Sequence, residues 1–195
     1  MPETLNALRE EAAHCTRCEL YEAATQTVFG EGRATAWLVL VGEQPGDQED
    51  KAGKPFVGPA GRVLADALDR VGLRREEIYL TNAVKHFRFE QRGPRRLHKA
   101  PTVTQVRACG PWLAGELGAV APSALGLLGA TAAKAVLGQK FRLTVDRGKV
   151  LDHDGRPTVA TAHPSAILRT PPEAREDAVA AFVADLGVLA ALRPS

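Results

Sequence analysis

Ala36-Trp37-Leu38-Val39-Leu40-Val41-Gly42-Glu43-Gln44-Pro45-Gly46-Asp47 is the stretch whose reading decides the fold. Six apolar residues in succession, stopped by Gly42, read as a strand buried on both faces of a parallel sheet. Two glycines and a proline then bracket Glu43 and Gln44. The chain therefore leaves the strand tightly and presents backbone N–H groups and two polar side chains at its carboxyl end, where open α/β sheets place their ligands. Taken alone, a short Gly-rich loop of this kind is also what a generic nucleotide-binding turn looks like. Downstream, Lys54-Pro55-Phe56-Val57-Gly58-Pro59-Ala60-Gly61 leads into an amphipathic helix that begins near Pro59 and carries Leu64, Ala67, Leu68 and Val71 on one side. A proline in the first helical turn gives up no hydrogen bond.

The pattern repeats outward from this unit. Residues 77–81 read as a second strand, ending in Asn82-Ala83-Val84-Lys85-His86. A third strand covers 123–128 and is followed by a short helix through Leu137. A fourth covers 157–162 and runs into His163-Pro164-Ser165. Helices are expected over residues 4–15, after an N-cap at Thr102 (Val103, Val106, Cys109, Trp112, Leu113 and Leu117 along the apolar side), and from about Glu173 to Leu192. Residues 141–150 read as irregular, with a further short strand possible at 149–151. Strands alternating with helices imply an α/β protein, three-layer α/β/α with a central, mostly parallel four-stranded sheet. No internal repeat or low-complexity linker interrupts residues 1–195, which read as a single domain.

Composition sets the class without revealing the activity. With 195 residues, 45% hydrophobic and 25% charged, the chain is long enough for one well-buried core and rather short for two. A net charge of +2 is too mild to announce a nucleic-acid protein, so any such argument rests on local charge. No apolar run is long enough to span a membrane, and the acidic, amphipathic start is unlike a signal peptide. A cytoplasmic protein without membrane partners is expected. Three cysteines, two of them as Cys15-Thr16-Arg17-Cys18, argue against a disulfide scaffold in that compartment. A C-x-x-C pair lets two sulfurs approach one metal from a tight turn, and also serves as a redox pair or as two buried thiols.

Two further features carry chemistry. Asn82 at a strand's carboxyl end suits a pyrimidine edge, since its amide both donates and accepts; turn-forming asparagines occupy the same kind of position. Residues 87–101, Phe-Arg-Phe-Glu-Gln-Arg-Gly-Pro-Arg-Arg-Leu-His-Lys-Ala-Pro, read as a long basic loop without helical or strand period. Its charge suits a phosphate backbone and equally a solvated surface loop.

In combination, GEQPGDQED with AGKPFVGPAG, then NAVKH, RRLHK, Cys109-Gly110-Pro111-Trp112-Leu113 and the His163-Pro164-Ser165 motif resemble the uracil-DNA glycosylase superfamily in its iron–sulfur branch. RRLHK is similar to the motif of the UdgX group, whose members become covalently attached to uracil-containing DNA. The resemblance implies that Cys15, Cys18, His86 and Cys109 hold a 4Fe–4S cluster, His86 standing where the branch usually has cysteine. Zinc on the same four ligands is the chemical alternative. It also implies uracil-containing DNA as partner, single strands preferred, bound by a monomer in the nucleoid-associated cytoplasm. Gln44 (with its neighbouring backbone N–H groups), Phe56, Asn82 and His163 would form the uracil pocket, His163 stabilising the departing uracil anion. His98 would capture the deoxyribose, with Glu43 holding the imidazole and accepting its proton, and Gln44 and Asp47 in support. Arg95, Arg96, Lys99 and Ser165 would contact DNA. Two rivals are a conventional multiple-turnover uracil-DNA glycosylase of the family 4 type and a non-catalytic metal-stabilised DNA-binding domain.

Overall fold

The computed structural model describes residues 4–194; residues 1–3 and 195, included in the expected domain, lie outside the described residues. The chain opens with α1 (Leu5–Ala12) and α2 (Leu20–Ala23), then β1 (Leu38–Gly42), α3 (Asp47–Ala52), α4 (Pro59–Arg70) and, after a single 3₁₀ turn, β2 (Ile78–Asn82). It continues with β3 (Phe89–Arg92), β4 (Arg95–His98), α5 (Val103–Val120), β5 (Ala124–Leu128), α6 (Ala130–Leu137) and α7 (Leu143–Asp146). It ends with β6 (Val150–His153), β7 (Arg156–Thr161), α8 (Pro164–Arg169) and α9 (Pro172–Ala190). No helix among the described residues is long and apolar enough to cross a membrane.

The central sheet has the order β2-β1-β5-β7-β6, with the first four strands parallel and β6 antiparallel to β7. The continuous apolar runs of β1 and β5 follow from burial on both faces. Alternate residues feed two cores. Leu38 and Leu40 point to α4, α8 and α9, meeting Leu64, Leu68, Ile167, Phe182 and Leu186. Val39 and Val41 point to the other face, with Leu8, Trp112 and Leu113 of α1 and α5 and Ala132 and Ala133 of α6. From β1 the chain moves to β2 on one side and later returns to β5 on the other, which opens a crevice at the strands' carboxyl ends.

The three-layer class stands, with five strands in place of the expected four, because residues 150–153 pair with β7 at the sheet edge. Part of the segment expected to be irregular forms α7. The larger correction concerns residues 87–101, which are not an aperiodic loop. Phe89 pairs with His98 and Arg92 with Arg95 in a two-stranded antiparallel hairpin, turned at Gly93-Pro94 with Gly93 at φ 55°. Its inward face carries Phe89, Gln91, Arg96 and His98, so alternation is present but polar side chains take the positions where apolar ones would reveal a strand.

Candidate active site

A cavity of about 380 Å³ lies at the carboxyl edge of the sheet, lined among others by Gln44, Asp47, Phe56, Asn82, His98, His163 and Ser165. Four chain segments distant in sequence converge there: the end of β1, the loop before α4, the end of β2 and the start of α8. The hairpin closes one side.

Asn82, the last residue of β2, is buried, and its carbonyl accepts from Lys85 Nζ at 2.7 Å. Gly42 lies beside it in register. A Cβ at Gly42 would stand 2.6 Å from Phe56 Cζ and closer still to Asn82 Oδ1, so the glycine admits both groups to the pocket floor. Phe56 takes φ 58°, an uncommon backbone for a bulky residue. Its ring lies roughly parallel to the His163 imidazole, centroids 6.4 Å apart.

His163 caps α8. The Ser165 N–H donates to its Nδ1 at 3.1 Å, which makes Nδ1 an acceptor and leaves the ring proton on Nε2. Burial, with help from His98 and Arg169, pushes its pKa down to about 4. At neutral pH the cavity thus has a neutral imidazole carrying an N–H donor, suited to a developing anion.

His98, on β4, is partly exposed, with Nε2 at 3.4 Å from Glu43 Oε1. Burial and Arg169 lower its pKa while Glu43 opposes the shift, which favours the neutral, nucleophilic ring. The other Glu43 oxygen accepts from the Thr131 hydroxyl at the start of α6. Thr131 was not marked by sequence, where it reads as an ordinary residue of a helix's first turn.

Two side chains expected to face the substrate are committed to holding the hairpin. Gln44 Nε2 donates to the carbonyls of Arg88 (3.1 Å) and Lys99 (3.0 Å), and its Oε1 accepts from the Arg88 N–H (3.2 Å). Arg96 is turned inward: Nε meets Asp47 Oδ1 and Nη1 meets Asp50 Oδ2, both at 2.6 Å, and the guanidinium lies 5.4 and 5.0 Å from the Phe87 and Phe89 ring centres. Asp47 is held below the usual carboxylate range by Lys51 first and Arg96 next. Lys99 pairs with Glu90 at 2.7 Å, and Arg95 is exposed on the hairpin's outer face.

The candidate metal ligands are gathered only in part. Cys15 and Cys109 are buried, Cys18 half-buried, and all three are free thiols. They are near enough for each other's charge to raise the thiol pKa of Cys18 and Cys109, though burial is the larger cause and takes Cys109 to about 11. Thr27 donates its single hydroxyl proton to Ala12 O, so it accepts from His86 Nε2–H, both at 2.9 Å. This leaves the buried His86 Nδ1 with a bare lone pair and no partner among the described residues. The donor set fits a thiophilic metal or cluster in kind. Among the described residues no three His, Cys, Asp or Glu side chains stand at metal-holding distance as placed.

A doubly wound α/β protein with a base-sized cavity, a buried amide, a stacked aromatic and a neutral imidazole donor at its carboxyl edge defines a class of nucleobase-recognising sites. The family model described as the uracil DNA glycosylase superfamily matches residues 29–187, and the chain belongs to that superfamily. Its cysteine pair precedes the matched segment. The chain is 38% identical over 169 residues to the type-4 uracil-DNA glycosylase of Thermotoga maritima, covering 86% of this chain and 84% of that one. It is 37% identical to the type-4 enzymes of Pyrobaculum aerophilum (86% of each chain) and Archaeoglobus fulgidus (87% of this chain, 85% of that one).

Proposed function

We propose that this protein cleaves the N-glycosidic bond of deoxyuridine in DNA, preferably single-stranded, and that His98 captures the deoxyribose in a single turnover, as in the UdgX group. The observation that carries the proposal is the approach of His98 Nε2 to Glu43 Oε1 at 3.4 Å, beside the cavity that holds Asn82, Phe56 and His163.

Phe56 stacks on the base, Asn82 reads its edge, and backbone N–H groups around Gln44 complete the pocket. As the C1′–N1 bond breaks, its electron pair leaves with uracil, and the His163 Nε2–H stabilises the anion at the 2-carbonyl. A ring nitrogen of His98 forms a bond to C1′, and the remaining ring proton passes to Glu43. The product is a neutral N-linked imidazole, far harder to expel than protonated imidazole, so the reaction stops at the adduct. Arg95 and Lys99 supply charge for phosphate at the hairpin, and Ser165 a hydroxyl at the start of α8. Arg96 and Asp47 act on His98 by fixing the strand that carries it.

Cys15, Cys18, His86 and Cys109 would hold a 4Fe–4S cluster, with zinc as the alternative on the same ligands. When bound, such a centre would supply structure rather than chemistry, tying the N-terminal segment to the turn after β2 and to α5. The unpartnered His86 Nδ1 supports this reading.

Incubation with uracil-containing single-stranded oligonucleotide is expected to give a species that survives denaturing electrophoresis. His98→Ala should abolish it, and Glu43→Gln should slow it while sparing the fold. An adduct formed by His98→Ala refutes the assignment. The identity to type-4 enzymes favours a second reading, multiple-turnover hydrolysis with His98 in a binding role; many equivalents of free uracil per protein would establish it.

A further inference from the structure

Glu43 does not line the base cavity itself. Its side chain lines a neighbouring cavity of about 530 Å³ with Thr131, Leu143 and Arg169, and His98 and His163 form part of the wall of both. One Glu43 oxygen faces His98; the other accepts a hydrogen bond from the Thr131 hydroxyl. A threonine in a helix's first turn usually bonds nearby backbone or water. Here its hydrogen goes to a carboxylate 88 residues away in the chain.

The hydroxyl is placed by rigid structure. The Gly129 N–H donates to Thr161 O at 2.8 Å, which ties the start of α6 to the end of β7, and Ala132 and Ala133 bury the next turn against the sheet. A Glu side chain ends in a torsion that is soft about its last bond. One strong donor on Oε2 removes that freedom, so Oε1 stays directed at His98.

We infer that Thr131 is a positioning residue for the reaction, the outer member of a relay in which its hydroxyl fixes the Glu43 carboxylate and the carboxylate fixes the His98 ring. The inference rests on the reading that Glu43 accepts the His98 proton. Thr131 keeps its own proton throughout; the only proton that moves goes from the His98 ring to Glu43. The charged and titratable groups facing Glu43 in this cavity are His98 from β4, His163 ahead of α8 and Arg169 at its end.

The test is the rate of adduct formation on uracil-containing single-stranded oligonucleotide, against DNA concentration. Variants are Thr131→Val, Thr131→Ala, Thr131→Ser, Glu43→Gln and Glu43→Gln with Thr131→Val. Losing one hydrogen bond to a charged group predicts a saturating rate about tenfold lower in Thr131→Val and Thr131→Ala, with half-saturation by DNA unchanged. Thr131→Ser should restore the rate, and Thr131→Val should cost nothing further once Glu43 is Gln. A full rate without the hydroxyl, a change confined to half-saturation, or an undiminished further loss in the Glu43→Gln background overturns the relay. If wild type releases uracil without forming an adduct, the covalent reading alone fails, and the same variants are scored on uracil release. An unchanged release rate then overturns the relay; a tenfold loss rescued by serine retains Thr131 as the group that positions Glu43.

Discussion

Replacing Lys85 by Met tests a fully buried charge. The Lys85 side chain has no exposure, and its three donors go to Glu116 Oε2 (2.5 Å), Thr81 Oγ1 (2.7 Å) and the Asn82 carbonyl (2.7 Å). Glu116, equally buried, also accepts from the Gly30 N–H (2.8 Å), Thr81 (2.8 Å) and Tyr79 (3.0 Å), whose phenol is pushed far above its usual range by burial and by Glu116 itself. Lys85→Met keeps the bulk of the side chain but leaves a carboxylate buried without its counter-charge, which costs about 3–5 kcal/mol. For a chain of this length each kcal/mol is about 2–4 °C, so the melting temperature should fall by about 6–20 °C. Adding Glu116→Gln removes the stranded charge while keeping an acceptor oxygen for Gly30 and Tyr79, and should recover at least half of the loss. Uracil-DNA binding should stay weakened in the double variant, because the Asn82 carbonyl has lost its donor. Calorimetric melts of the three proteins, with binding to a uracil-containing oligonucleotide, decide the matter. A Lys85→Met protein melting within about 3 °C of wild type, or a double variant no better than the single, would show that the pair does not hold the end of β2.

Arg96→Lys keeps one charge but cannot meet Asp47 and Asp50 together, so the hairpin should loosen: amide exchange in residues 89–98 should rise and reaction with uracil-containing DNA should slow about tenfold or more, with a stability loss of about 1–3 kcal/mol. Gly42→Ala puts a methyl group against Phe56 and Asn82, and should weaken binding of uracil-containing over thymine-containing oligonucleotide by at least about tenfold in fluorescence anisotropy. His163, neutral in the folded protein down to about pH 4, binds its proton more readily unfolded, so stability should be full above about pH 6.5 and fall as pH drops towards 4. The loss is about 3 kcal/mol at most, and urea unfolding at pH 7 and pH 4.5 should show a smaller difference in His163→Gln; equal differences would refute the assignment.

Local sequence was sufficient wherever one residue's own preference decided the outcome. The apolar runs at 38–41 and 124–128 had to be sheet interior, Thr102 had to cap a helix, where it forms a full capping box with Gln105, and Pro59 had to open one. Asn82, polar and at a strand's carboxyl end, was legible in the same way as a pocket residue, whereas Phe56 and His163 were marked by the motif resemblance; the three converge on one cavity. Motifs likewise singled out Glu43 and His98, which stand side by side. What sequence could not supply was partnership across the chain. The hairpin was hidden because its inward positions are Arg96 and His98, apt only against Asp47, Asp50 and Glu43. Whether an arginine in a basic stretch faces solvent or two carboxylates depends on where the strand lands. For the same reason Gln44 clasps the hairpin backbone, and Thr131, Lys85 and Glu116 gain their roles only once the sheet brings distant segments together. Backbone preference is a property of neighbours in sequence, whereas hydrogen bonds and ion pairs belong to neighbours in space, and only the tertiary structure makes those.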